Sequence, residues 1–271
     1  MALTSSGLLG LFFHARALTT GVTVTASTEA SGFLAGNVLD WENPRLPWRS
    51  TTKTADQWLR FDLGASPPGY VALFVRGANF PSATLQANAT DSWGTPAISL
   101  PITVATNTVV ERRHGLFFFN TGRTAPGHRY VRLLIGANQA TDGGGTYYAV
   151  ESALFAVAAV ELTARRPLEQ TLIDPVEEQA WPGRREVAQL GARQVRLDLP
   201  WEFFLNYAKD ATENEEGAML ALSTSPAQPV IVCPNLHRPQ EAYVMRRLGE
   251  VRWAMQGGVG AAMPLVFEEV G

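Results

Sequence analysis

The chain has 271 residues, of which 46% are hydrophobic and 17% charged, with a formal net charge of −3. This length holds one large or two ordinary domains with real cores. The slightly negative balance gives no electrostatic basis for nucleic-acid or anionic-membrane binding, and neither partner is expected. Cys233 is the sole cysteine, which excludes an intramolecular disulfide and leaves the fold to its apolar core.

Residues 1–20 contain the apolar patch Leu8 to Phe13, with no basic stretch before it. The patch is too short for a secretory signal core or a bilayer span. No export address is visible, so synthesis in a cytoplasm is expected. Leu8, Leu9, Leu11, Phe12 and Phe13 are too apolar to remain in water, and they are expected to pack on a partner or on the second half of the chain.

Strand signals dominate residues 21–163. Val22 to Ser27 alternates with period two. In Gln57 to Leu63, Trp58, Arg60 and Asp62 point one way and Leu59, Phe61 and Leu63 the other. Tyr70 to Arg76, Ala83 to Ala89, Gly115 to Phe119, Arg129 to Ile135 and Tyr147 to Leu162 follow. Turn chemistry separates them at Ser66-Pro-Pro-Gly, Asn79-Phe-Pro-Ser, Asp91-Ser-Trp-Gly, Thr124-Ala-Pro-Gly and Asp142-Gly-Gly-Gly. Regular short strands of this kind predict a β-sandwich or jelly roll.

Residues 164–182 turn polar and proline-containing and are expected to form a linker. Residues 183–271 read as a β-rich assembly domain, with strands at Arg193–Leu199, Pro229–Cys233, Ala242–Leu248, Glu250–Met255 and Pro264–Glu269. One helix is predicted over Thr212–Leu222, where Thr212 and Glu215 match a capping box and Glu213 to Glu216 load the first turn. The predicted class is all-β with one or two short helices: a sandwich plus a second β-rich domain.

No constellation points to catalysis, and the chain is not expected to be an enzyme. His14, His114, His128 and His237 lie at no metal-ligand spacing, so neither metal nor cofactor is expected. Arg112 and Arg113 precede His114, which reads as a solvated turn residue. Gly143 to Gly145 lacks the lysine and helix of a phosphate loop and reads as a flexible hairpin tip. The carboxylates of Glu177-Glu178 and Glu268-Glu269 are adjacent, which in a strand sends them to opposite faces. Cys233, inside Pro229 to Pro234, reads as a small buried hydrophobe. Among the 22 basic residues only Lys53 and Lys209 are lysines. That bias suits interface chemistry, although codon usage in a GC-rich genome is the simpler account.

Between Val24 and Glu161 the chain resembles discoidin-type (coagulation-factor C-type) jelly-roll domains, a family that includes many carbohydrate-binding modules. The resemblance rests on ordered segments: Ala26 to Asp40, Pro47-Trp48-Arg49-Ser50, Gln57-Trp58-Leu59-Arg60-Phe61-Asp62-Leu63-Gly64, Tyr130-Val131-Arg132-Leu133 and Ser152 to Val157. It implies a sandwich whose core takes Trp48, Trp58, Phe61 and Leu63, with Arg60 and Asp62 able to pair on one strand face. It also implies ligand binding through loops at one end of the sandwich, and in some members Ca²⁺ binding at a turn like that of Asp40. The ligand-binding candidates on such loops are Trp41, Asn43, Arg45, Arg76, Asn79 and Trp93. Trp41 and Trp93 sit in polar turns, where an indole stacks on a sugar, anchors a protein interface, or folds down over the end of the sandwich.

Residues 165–271 look like ring-forming tail-tip and baseplate proteins of long-tailed bacteriophages, on the layout of Gly183-Arg-Arg-Glu, Gly191 to Phe203, Pro229 to Pro234 and Tyr243 to Met255. Two functions follow. The first is a distal-tail-like virion structural protein that forms a homo-oligomeric ring and contacts other tail or baseplate proteins, and which also meets a host surface glycan through its discoidin-like module. The second is a carbohydrate-binding module or accessory protein of a glycan-processing system.

Overall fold

The computed structural model describes residues 7–13, 21–41, 46–67, 69–108, 110–121, 125–156, 158–164, 169–173, 176–181, 184–189, 194–199, 205–206, 229–233, 238–248, 253–256, 259–262 and 265–269. In chain order the first strands are β1 (Gly7–Phe13), β2 (Thr23–Ala26), β3 (Trp48–Arg49), β4 (Gln57–Asp62), β5 (Ala72–Ala78) and β6 (Ser82–Asn88). They are followed by β7 (Ile98–Thr103), β8 (Ala105–Asn107), β9 (Arg112–Phe118), β10 (Tyr130–Ile135), β11 (Ala149–Val150) and β12 (Ser152–Ala156).

The alternation in β4 shows how sequence becomes layer. Gln57, Leu59 and Phe61 are buried, while Trp58, Arg60 and Asp62 are half-buried on the opposite face. β4 lies inside a five-stranded antiparallel sheet ordered β2-β4-β10-β6-β7, where Arg60 stands opposite Arg132 and Phe61 opposite Val131. A second antiparallel sheet, β12-β5-β9-β8, faces it, and the pair β11-β3 closes one side. Between the sheets, Leu59, Phe61, Leu85, Val131 and Leu133 meet Leu73, Val75, Phe117 and Phe155. Edge-to-face rings join the layers: Phe61 and Phe155 lie 5.2 Å apart, and Tyr70 and Phe155 5.4 Å apart. Each fully buried ring or leucine contributes about 1.5–3 kcal/mol, so this core outweighs the surface ion pairs.

The two candidate core tryptophans separate. Trp48 is 0% exposed, and its Nε1 donates to the Thr28 carbonyl at 3.1 Å. Trp58 departs from the expectation: it is half-buried on the outer face, 6.0 Å from the Arg60 guanidinium. Its position in β4 has the parity of Arg60 and Asp62, and Leu59 and Phe61 already fill the inner face. Leu63 is buried in the core.

β5 does not alternate, because both of its faces are covered. Leu73 and Val75 enter the sandwich core, whereas Ala72 and Phe74 join Leu116, Leu154 and Ala156 in a second cluster. That cluster is completed by Ile231, Cys233, Ala242 and Val244 from the last quarter of the chain. Cys233 is buried there with its thiol free of a disulfide.

The second β-rich region comprises β13 (Ala158–Ala164), β14 (Glu169–Ile173), β15 (Val176–Trp181), β16 (Arg184–Gln189), β17 (Gln194–Leu199) and β18 (Leu205–Asn206). It continues with β19 (Val230–Cys233), β20 (Tyr243–Leu248), β21 (Trp253–Gln256), β22 (Val259–Ala262) and β23 (Leu265–Glu269). A seven-stranded antiparallel sheet runs β13-β1-β19-β20-β23-β17-β14. The N-terminal strand thus pairs on both sides, Phe13 opposite Ala158 and Gly10 opposite Cys233. The stretch 164–182, expected as a linker, carries β14 and the β15 arm of the β15–β16 hairpin. Its polar composition reads as loop, while the strand pairing comes from partners elsewhere in the chain. The predicted helix over residues 212–222 lies outside the described residues. The architecture is all-β, an antiparallel two-sheet sandwich joined to a second β-rich region.

Candidate functional site

One end of the sandwich gathers the segments after β2, between β3 and β4, between β5 and β6, and between β10 and β11. Hydrogen bonds fix them to one another. Ser27 and Thr28 hydroxyls donate to the buried Gln57 Oε1 at 2.7 and 2.6 Å, and the Thr51 amide donates to Thr28 Oγ1 at 3.1 Å. The buried Tyr148 hydroxyl donates to the Gly136 carbonyl at 2.7 Å and accepts from the Gln139 amide at 2.9 Å. The Tyr148 amide donates to Ser50 Oγ at 2.8 Å.

Asn79, a predicted ligand contact, is one of these fasteners. Its Nδ2 donates to the Tyr147 carbonyl at 3.0 Å, and its Oδ1 accepts from the Ala149 amide at 2.8 Å. Both functional ends of the amide are thereby engaged in placing Tyr147. The Gly143–Gly145 stretch, expected as a hairpin tip, is part of a short 3₁₀ turn in which Gly143 and Gly144 take φ of 71° and 69°.

On this frame sits a group the residue-by-residue reading did not single out. The half-buried Arg49 stacks over the Phe33 ring, its Cζ 3.9 Å from the centroid, and lies 5.1 Å from the Tyr147 centroid. Its backbone is held by Phe33, whose carbonyl accepts from the Arg49 amide at 3.3 Å, and by pairing with Ala149. Among the described residues its Nε has no hydrogen-bond partner, and its guanidinium makes no ion pair. Two aromatic faces therefore hold a planar cation in place, its Nε buried between them and its terminal amino groups without a partner among the described residues. Phe33 and Arg49 lie inside two of the five segments that carry the discoidin resemblance, and Tyr147 ends a candidate loop. The signal was present, but the pairing state was not.

Trp93 lies at the opposite end, in the loop between β6 and β7. Its Nε1 donates to Asp91 Oδ1 at 2.8 Å, and the Arg132 guanidinium stacks 4.3 Å from its ring centroid. Asp91 also pairs with Arg60, and Arg132 Nε donates to Gln86 Oε1 at 2.8 Å. Asp62 pairs with Arg129 through bonds of 2.7 and 2.8 Å, so Arg60 and Asp62 each find a partner elsewhere instead of the expected same-face pair. The Arg129 bonds hold the Asp62 carboxyl below its ordinary value, against the upward push of burial.

Trp41 and Arg76 lie at neither end. Trp41 packs against the second cluster, between the sandwich and the strands that cover it. Arg76 is 3% exposed, with Glu151 at 3.8 Å and Glu269 of β23 at 3.7 Å. Beside it His114, expected in a solvated turn, is 1% exposed within β9, with Nδ1 3.4 Å from the Ala242 carbonyl. Burial and the neighbouring Arg76 push the imidazole down to about 3, and it is neutral at pH 7. Burial raises the Glu269 carboxyl, against the lowering charge of Arg76. These polar residues resembled loop chemistry because the covering strands come from more than a hundred residues away in sequence. Asn43 and Arg45 lie outside the described residues, as do His14 and His237. Among the described residues no group of three or more His, Cys, Asp and Glu is placed to hold a metal ion. No described helix is long and apolar enough to cross a membrane.

No family model matches the chain, and no curated protein matches it. Solved structures do. Chitosan-binding module 1 of a chitosanase/glucanase from Paenibacillus sp. IK-5 is 27% identical, covering 51% of this chain and 96% of that one, with a TM-score of 0.35. A family 32 carbohydrate-binding module from C. perfringens NanJ, in complex with galactose, is 14% identical over 54% of this chain and 98% of that one, with a TM-score of 0.39. The corresponding module of AlyQ, in complex with 4,5-unsaturated mannuronic acid, is 20% identical over 50% of this chain and 95% of that one, with a TM-score of 0.37.

Proposed function

We propose that this chain is a non-catalytic glycan-binding protein whose binding site is the loop end built around Phe33, Arg49 and Tyr147. The observation that carries this reading is the stacked Arg49, fixed between two rings with no acceptor among the described residues. Sugar rings present apolar C–H faces beside hydroxyls. Half-buried aromatic surface meets the former, and a fixed fork of N–H donors meets the latter. The clamps through Asn79, Ser50 and Tyr148 form the site before a ligand arrives, which lowers the ordering cost of binding.

The discoidin resemblance of the first half implies the same kind of module. A ring-forming tail-tip role for residues 183–271 rests on sequence resemblance alone and stands second. A glycan array probed with the full chain and with Tyr147→Ala tests the proposal. The wild type is expected to bind a defined sugar class, and the variant to bind it roughly three- to tenfold more weakly, the scale of one aromatic contact. An array without hits, or unchanged binding by the variant, contradicts it.

A further inference from the structure

We propose that the seam between the sandwich and strands β19, β20 and β23 is an acid-released latch. Neutral His114 keeps it shut, Glu269 delays its release, and the covering strands part from the sandwich before the sandwich itself unfolds. The proposal is independent of the glycan reading.

Pairing register lines up three polar side chains on the outer face of the sheet β12-β5-β9-β8. Ser152 stands beside Arg76, and Arg76 beside His114. All three are buried, and the neighbouring row, Leu154, Phe74 and Leu116, is apolar. β23 closes over the polar row with Glu269, whose Oε1 lies 3.7 Å from Arg76 and whose Oε2 accepts from the Val195 amide at 3.2 Å. The Ala242 carbonyl, just before β20, lies 3.4 Å from His114 Nδ1, so that nitrogen is the donor and Nε2 carries the lone pair. Nε2 is buried, with no hydrogen-bond partner among the described residues.

The charges around the ring oppose a proton there. Arg76 of β5 and Arg112 of β9 both disfavour an imidazolium. Glu151 is shared between those two guanidinia, at 3.8 and 2.9 Å, and Glu269 faces Arg76. Arg113 is turned to Asp142, and Arg238 pairs with Glu241 in the turn packed on β9. β19 brings Cys233 to the seam, and Ala242 and Val244 bring apolar surface. The closed seam thus holds His114 down at about 3, from an ordinary 6.5 that opening restores. Between those values the open seam binds one proton more, so each unit of falling pH favours opening about tenfold. Glu269 acts in the opposite sense. Burial raises its carboxyl, so the closed seam takes that proton first and resists opening until the pH falls below the ordinary 4.5.

Cys233, the sole cysteine, is buried in this seam and reports its opening. The test is the rate at which dithiodipyridine labels the full chain, divided at each pH by the rate for the urea-unfolded chain to remove the thiol's own pH dependence. The normalised rate is expected to rise about tenfold per pH unit between about pH 4.5 and pH 3.5, and more shallowly above. Glu269→Gln should extend the tenfold slope up to about pH 6. His114→Gln retains an amide donor for the Ala242 carbonyl and should flatten the slope throughout. Labelling should also depend less steeply on urea than global unfolding followed by tryptophan fluorescence. A normalised rate independent of pH in the wild type, or an undiminished slope in His114→Gln, would overturn the latch. So would labelling as steep in urea as global unfolding, a result that needs no variant to fold.

Discussion

The two ends of the sandwich use the same side chains and reach opposite electrostatic states. At the end after β6, Trp93 stacks on Arg132, and Asp91 binds both the indole and Arg60. At the end after β2, Phe33 and Tyr147 flank Arg49, which meets no carboxylate among the described residues. A stack whose donors are taken, the indole by Asp91 and the Arg132 Nε by Gln86, is complete in itself and covers a surface. The Arg49 stack, left open among the described residues, is the centre of the proposed glycan site. The difference lies in the partners Asp91 and Gln86 supply at one end, not in the abundance of aromatics or arginines.

The comparison predicts unequal consequences of similar substitutions. The largest effect is expected for Trp48→Ala, which empties a fully buried site and releases Thr28. It should cost about 3–5 kcal/mol in urea unfolding, whereas Trp58→Ala, on the outer face, should cost far less. Equal losses for the two tryptophans would refute the division of β4 into an inner and an outer face.

Asn79→Ala is next. It removes the two bonds that place Tyr147, and should cost about 1–3 kcal/mol while weakening sugar binding without touching the sugar. Asn79→Asp keeps the acceptor toward Ala149 and should recover part of the loss. A positioning role fails if affinity follows neither change.

The smallest effect belongs to the closed end. Asp62 has a folded-state carboxyl held below the ordinary 3.8, chiefly by the Arg129 hydrogen bond. A depressed carboxyl adds stability above its unfolded value and loses it as pH falls through the folded one. Asp62→Asn should therefore cost no more than about 1 kcal/mol at pH 7, with a difference that vanishes under stronger acid, as expected of a partly exposed pair. A difference that persists below pH 2 would place the effect in packing.

Much of the sandwich was legible because period two is a local property. Leu59, Phe61 and Leu63 share a parity, and the strand that carries them follows. The same rule assigns Trp58 to the outer face, and the attraction of a large ring to a core does not override it. What local pattern could not supply was the second cover of β5. The unbroken apolar run from Val71 to Val75 announces burial on both faces, but its partners, Ile231 and Val244, are far away in sequence. For that reason Arg76 and His114 resembled loop residues while belonging to a buried seam.

The candidate site was legible in kind and not in place. Trp93 and Tyr147 lie in similarly polar loops, and only the three-dimensional pairing of Asp91 tells the spent aromatic group from the unspent one. Arg49 was visible as part of a similar segment, but that it meets no carboxylate among the described residues is a property of the folded end and not of the sequence around it.

Hydrogen–deuterium exchange of the full chain, with and without a saturating glycan identified on the array, tests the contrast between the two ends most directly. The loop end is predicted to gain protection at residues 28–35, 49–53 and 141–149, with residues 89–94 around Trp93 unchanged. Protection concentrated at residues 89–94, or none at either end, would contradict it.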